Sequence, residues 1–202
     1  MTAALPVGRV ARKRAERQRL MERVAAEVFA ERGYERASLE EIAARLDMRG
    51  ASLYHYYASK EELFLHAVQN ATAEVVARLR AVVESGGPAD ERLRRLFAEQ
   101  ALVELRDYPS FAPLFLMHLP DPVLADRVRE LSREHAAIFR DLAAEVAGEA
   151  GRPAGDARIA TYLAMGSLAY LRRWYDPAGS MSVEELAEHV AGELVRLLQP
   201  IG

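Results

Sequence analysis

Three times the chain places Ser-x-Glu-Glu ahead of an apolar stripe of helical period: at residues 38–41, 59–62 and 182–185. In such a capping box the Ser hydroxyl and the Glu carboxylate satisfy amides that a helix start leaves without partners. Each tetrad therefore opens a helix, and most of the remaining chain reads the same way. Leu20, Val24 and Val28 recur with Met21, Ala25 and Phe29 from about Lys13, and Gly33 is the expected stop. A two-turn helix follows Ser38. A long one runs from Ser59 to about Glu84, and Ser85-Gly86-Gly87-Pro88 ends it. Further helices are expected over 89–107, within the proline-punctuated stretch 108–120, and from the Asp121-Pro122 start to about Glu149. Two more occupy 159–171 and 182–198. With twelve Gly and nine Pro in 202 residues the turns of a many-stranded protein are missing. The fold class is all-α, with about nine helices.

No Cys is present, which excludes a disulfide scaffold, a thiol nucleophile and thiolate metal sites and suits a reducing, cytoplasmic location. No apolar run approaches the length of a membrane span, and the first twelve residues lack the apolar core of a secretory signal. Those twelve read as a disordered basic arm. Residues 1–60 carry a net charge of +4 and residues 61–202 a net −7. A basic first third on an acidic remainder points to a head that binds a polyanion, joined to a body with another task. His55, His66, His118, His135 and His189 show no metal-ligand spacing. No phosphate loop or nucleophile elbow occurs, so neither an enzyme nor a cofactor is expected.

The segment Asp47-Met48-Arg49-Gly50-Ala51-Ser52-Leu53-Tyr54-His55-Tyr56-Tyr57 separates the two-turn helix from the long one. A short helix, a tight break and a second short helix make a helix-turn-helix, whose second helix can enter the DNA major groove. Arg49, Ser52, Tyr54, His55 and Tyr56 have the short or planar hydrogen-bonding side chains that groove reading needs. Gly50 permits close approach, while Leu53 and Tyr57 read as core.

At these residues the chain resembles the TetR family of bacterial repressors. The resemblance is carried by Phe29-Ala30-Glu31-Arg32-Gly33-Tyr34, by Ser38-Leu39-Glu40-Glu41-Ile42-Ala43, and by the run from Ser52 to Leu63. It implies a homodimeric, all-helical repressor with a DNA-binding domain over 13–58 and a ligand-binding and dimerisation domain over 59–202. It implies that Ser38 caps its helix and touches a phosphate, that Gly50, Ser52, Tyr54, His55 and Tyr56 form the recognition helix, and that Lys60 binds backbone phosphate. Arg49 stands where the family usually has a Ser or Thr cap. It exchanges that cap for a guanidinium able to reach either a phosphate or a guanine edge.

The body is expected to hold a small apolar effector. Tyr108, Phe111, Phe115, Phe139, Tyr162, Met165, Tyr170 and Trp174 supply large apolar surface beyond what the helix stripes need. Arg172 and Arg173, ahead of Trp174 and Tyr175, resemble a segment of family members that sense acyl-CoA thioesters. A long-chain acyl-CoA is therefore the expected effector, with a lipophilic drug or amphiphile as the alternative, or no ligand at all. The helix over 159–171 is apolar on nearly every side. Together with the ladder Leu186, Val190, Leu194 and Leu198 it could pack inside one subunit or form half of a four-helix dimer seam. The seam is favoured, with Ile159 and Leu163 on it.

Overall fold

The structure, a computed structural model, describes residues 8–198. Residues 1–7 of the expected arm lie outside the described residues. The described part of that arm is helical: α1 spans Arg9–Arg32, starting four residues before Lys13. It ends where expected, at Gly33, whose φ of +76° suits a residue without a Cβ. Then come α2 (Leu39–Arg45), α3 (Gly50–Leu53), α4 (Lys60–Glu84) and α5 (Ala89–Leu102). The chain continues through a π-helical turn, Val103–Asp107, into α6 (Phe111–Leu116) and α7 (Pro122–Glu149). α8 (Ala154–Ala169), a 3₁₀ turn at Leu171–Arg173 and α9 (Val183–Arg196) complete nine α-helices among the described residues, with no strand among them.

The three capping boxes fold differently. At α9 both halves form: Ser182 Oγ accepts from the Glu185 amide, and Glu185 accepts from the Ser182 amide. At α4 the carboxylate of Glu62 accepts from the Ala58 amide, one residue earlier than expected. At α2 the Ser38 hydroxyl caps, but Glu41 is drawn to the Arg32 guanidinium at 3.0 Å. A charged partner outcompetes a backbone amide.

Helices α1 to α4 enclose a core in which the Phe29 and Phe64 rings meet edge to face at 4.9 Å, with Tyr34 against Phe64 at 5.1 Å. α4 is shared: its first turns belong to this head, and its later turns pack on α5 and α7 in the body. α9 lies along α5. That packing places much of the α9 ladder within the subunit. Leu198 is fully buried within the subunit, and Leu186 and Leu194 nearly so, leaving only Val190 of that ladder half-exposed. α8 is not buried on all sides either. Its Ala157, Ala160, Ala164 and Leu168 face inward, while Ile159, Tyr162 and Leu163 stand about 60% exposed. No helix among the described residues is long and apolar enough to cross a membrane.

Candidate functional site

The break between α2 and α3 turns on Asp47, which takes a φ of +52°, a conformation that Asp tolerates better than most residues. Arg49 follows in extended backbone as the N-cap of α3, and its side chain makes no capping bond. α3 itself is shorter than expected, at four residues. Tyr54, His55 and Tyr56 continue it as a hydrogen-bonded turn rather than a helix. Leu53 and Tyr57 anchor the segment in the core. Around those anchors Tyr54 and His55 are exposed, and Ser52 and Tyr56 half-exposed. A Cβ on Gly50 would meet only Glu40 Cγ, at an ordinary 3.8 Å, so packing within the head does not demand glycine there.

Ser52, His55 and Tyr56 share a concave surface with Met48 and with Arg14 and Arg17 of α1. The two arginines were not singled out from the sequence. The signal available for them was the density of Arg and Lys over residues 9–19. Ser38 and Lys60 lie off this surface. Ser38 Oγ is occupied as a cap at 3.1 Å. The Lys60 ammonium donates to the Glu35 carbonyl at 2.9 Å and sits 4.7 Å from the centre of the Tyr34 ring, with burial lowering its pKa.

The body contains a cavity of about 270 Å³ between α5, α6, α7 and α8. Of the residues singled out from sequence, Phe111, Phe115, Tyr162 and Met165 line it. Phe139 lies behind it, fully buried against His135 and Phe97. Tyr108 is elsewhere, under the Arg23 guanidinium of α1 at 5.0 Å. The cavity's polar groups were missed. Gln100 Nε2 donates to Glu104 Oε1 at 2.8 Å, the Ala112 amide donates to Glu104 Oε2 at 3.3 Å, and His135 Nε2 pairs with Gln100 Oε1 at 2.9 Å. All three side chains are buried. Burial raises the Glu104 carboxyl to about 7, against the bonds from Gln100 and Ala112 and the charge of Arg172. Burial also lowers His135 to about 4, leaving it neutral. Their sequence signal was the polar residue in a core position: Gln100 and Glu104 extend the Leu93/Leu96/Phe97 stripe, and His135 interrupts Val128/Phe139/Leu142.

A second, open groove of about 680 Å³ runs between α8 and α9, lined by Tyr162, Leu163, Tyr170, Trp174, Val190 and Leu194 among others. Tyr170 and Trp174 thus belong to this face and not to the cavity. Arg172 binds the Pro109 carbonyl, and Arg173 is exposed. Among the described residues no group of three His, Cys, Asp or Glu side chains could hold a metal ion.

This architecture has relatives. Residues 23–67 match the family described as bacterial regulatory proteins, tetR family, and residues 86–198, more than half the chain, match the tetracyclin repressor-like C-terminal domain. The chain belongs to the TetR family. Its members are transcriptional regulators and not enzymes. The repressor KstR2 of Mycolicibacterium smegmatis is 26% identical over 82% of both chains. The regulator YezE of Bacillus subtilis is 37% identical, but over only 37% of this chain and 39% of its own length. A TetR/AcrR-family regulator from Thermobifida fusca shares the fold with a TM-score of 0.66 at 30% identity, covering 89% of this chain and 97% of that one. AibR, solved with isovaleryl coenzyme A and operator DNA, shares it with a TM-score of 0.75 at 23% identity, over 89% and 98%.

Proposed function

We propose that this TetR-family protein is a dimeric transcriptional repressor whose heads bind a pseudo-palindromic operator and whose body cavity takes the effector that releases it. The observation that carries the reading is the surface on which Arg14 and Arg17 flank Ser52, His55 and Tyr56. Guanidinium groups for phosphates beside planar donors for base edges make up the two halves of DNA recognition. Arg49, exposed at the start of α3, adds a contact to a phosphate or a guanine. Lys60 and Ser38 contribute at the margin of the site. Lys60 can turn a spare ammonium proton to a phosphate, because its three donors exceed the one carbonyl it holds.

The dimer is best formed through α8 and the 3₁₀ turn. Ile159, Tyr162, Leu163, Tyr170 and Trp174 are large, apolar and mostly exposed in the single chain, and a second copy packed on them would remove them from water together. Selection of duplexes from a random pool by the full chain tests the reading. Half-sites in inverted repeat, with centres about one helical turn, roughly 34–36 Å, apart or somewhat more, are expected. Recovery of single, unpaired sites, or of no preferred sequence, would overturn it.

For the effector, a cavity of about 270 Å³ supports a compact lipophilic molecule rather than a long acyl chain, since pockets for drug-sized ligands begin at roughly 300 Å³. An acyl thioester is the second reading. AibR with isovaleryl coenzyme A, and a FadR of Bacillus subtilis with stearoyl-CoA, share the fold at 23% and 18% identity.

A further inference from the structure

The cavity is lined mostly by apolar side chains, but Glu104, Gln100 and His135 on its wall are linked in series, and Ser132 and Tyr162 also border it. Such a wall is unusual for a space that receives only hydrocarbon. A buried carboxylate is costly without a counter-charge, and no Lys or Arg is among the residues that line the cavity. Arg172, whose charge reaches Glu104 from outside, is exposed, and one of its guanidinium nitrogens is held by the Pro109 carbonyl. His135 cannot supply the charge because it stays neutral. The two hydrogen bonds that Glu104 accepts, from Gln100 and from the Ala112 amide, hold the carboxylate against the cavity wall as an acceptor. An arriving anion would meet an acid, and an arriving cation would meet its partner. The π-helical turn points the same way. Its bond from the Tyr108 amide to the Val103 carbonyl spans five residues, and such interruptions are frequent at functional sites.

We propose that the cavity is a receptor for a small lipophilic amine, whose ammonium group pairs with the Glu104 carboxylate while its apolar part lies among Phe111, Phe115 and Met165. The proposal rests on the reading of this cavity as the effector site and gives that site its chemistry. A single ring with a short aminoalkyl arm is the kind of size that the volume admits. The polar groups that bond Glu104 or share the cavity wall with it are Gln100 of α5, the Ala112 amide of α6, Ser132 and His135 of α7, Tyr162 of α8 and, from outside, the charge of Arg172. Between pH 5.5 and 8.5 Glu104 is the titrating acid among them, with its carboxyl at about 7 and His135 at about 4.

The test is calorimetric titration of the full chain with four probes of one shape: 2-phenylethylamine, 2-phenylethanol, 3-phenylpropanoate and ethylbenzene. The amine should bind at least about tenfold more tightly than the carboxylate or the hydrocarbon. Its affinity should fall by about tenfold per pH unit below 7, as Glu104 takes up its proton, while that of the alcohol stays level. Glu104→Gln should remove the preference for the amine. Should that variant fail to fold, the pH series on the unaltered chain decides the matter alone. Equal binding of carboxylate and amine, a pH-independent amine affinity, or no binding by any probe overturns the proposal. So does a Glu104→Gln variant that melts at a different temperature but ranks the four probes as before, since that marks a purely structural carboxylate. Operator release is measured separately. Amine binding that depends on Glu104 yet leaves the operator complex intact upholds the receptor and removes only its role as effector site.

Discussion

Glu22 in the head and Glu104 in the body are both buried carboxylates with raised pKa values, and burial is the leading cause in each. Their surroundings differ. Glu22 accepts the Tyr57 hydroxyl at 2.9 Å and has His66 Nδ1 at 3.8 Å, so it ties α1 to the end of the recognition segment and to α4. It lines neither the cavity nor the groove of the body. Glu104 is held just as firmly on one side but borders empty space on the other. The first acts as a rivet and the second as a receptor. Burial and a shifted pKa alone do not separate the two roles, but the presence of a ligand-sized void next to the acid does.

The most severe way to break the contrast between a rigid head and a receptive body is to destroy the body's own core. Leu194→Arg should do this. The residue is nearly buried within the subunit, and an unpaired guanidinium there costs several kcal/mol, comparable with the whole stability of a domain. Loss of the cooperative circular-dichroism melt is expected. Leu163→Arg, on the exposed face of α8, should keep the melt and change only the assembly, from dimer to monomer in sedimentation. A folded Leu194→Arg monomer would return that leucine to the seam.

The two acids also predict a pH dependence. For a carboxyl whose folded pKa lies above its unfolded one, the folded state holds its proton longer. Stability is therefore greatest below the unfolded value near 4.5 and declines as pH rises to the folded value near 7. Glu104 should contribute a decline of at most about 3.5 kcal/mol across that window, because each tenfold difference in proton affinity between the two states is worth about 1.4 kcal/mol. Urea titrations at pH 4.5, 6 and 8 measure it. Glu104→Gln should flatten the profile. Glu22→Gln should change it in the same sense but less, because Tyr57, His66 and Arg19 already support the charged form. A Glu104→Gln profile as steep as that of the unaltered chain would place the titration elsewhere.

What could be read from the sequence divides along the same line. Much of the head was legible because its local signals agree at the Ser38 and Ser59 caps, the Gly33 stop, and the anchors Leu53 and Tyr57, whereas Arg14 and Arg17 carry no signal beyond the density of basic residues. The body's helices were legible from capping and periodicity, with α7 found within a residue of its ends. Its site was not. Gln100, Glu104 and His135 sit at core positions of amphipathic helices, where composition predicts only packing, and what makes them functional is a void that three-dimensional packing creates. What covers the α9 ladder was not legible for a related reason. The Leu186/Leu194/Leu198 ladder has the periodicity of a buried face, but periodicity does not say whether α5 or a second subunit buries it.

On the head, base readout and phosphate anchoring should separate. His55→Ala and Tyr56→Ala should each cost about 1–3 kcal/mol on the preferred operator and less on unrelated duplexes. Arg14→Ala and Arg17→Ala should weaken all sequences alike and reduce the salt slope by about one each. Lys60→Ala should follow the arginines with a smaller effect, since its ammonium is already engaged by Glu35 and Tyr34. Fluorescence anisotropy over a salt series checks all five. An unchanged affinity for Tyr56→Ala would displace the recognition surface.

The smallest effect concerns how the two regions communicate. The π-helical turn that begins beside Glu104 ends at Asp107, whose carbonyl accepts from Arg23 Nη2 of α1 at 2.6 Å, with Tyr108 beneath the same guanidinium. The Asp107 carboxylate is fixed in turn by Arg106 and by Arg78, each at 2.7 Å, and these bonds hold its pKa down at about 2. A ligand that draws on Glu104 would therefore act on a five-residue turn whose far end is bonded to α1. Arg23→Ala removes that bond without touching the cavity or the recognition surface. Operator affinity without ligand, and 2-phenylethylamine affinity without operator, should each change by less than about threefold. The coupling between them should shrink by about 0.5–2 kcal/mol. Because coupling is reciprocal, the same loss must appear in ligand affinity measured with and without operator as in operator affinity measured with and without ligand. If the coupling survives intact, the signal does not pass through the π-helical turn. It would then run along α4, which belongs to the head at its start and to the body at its end.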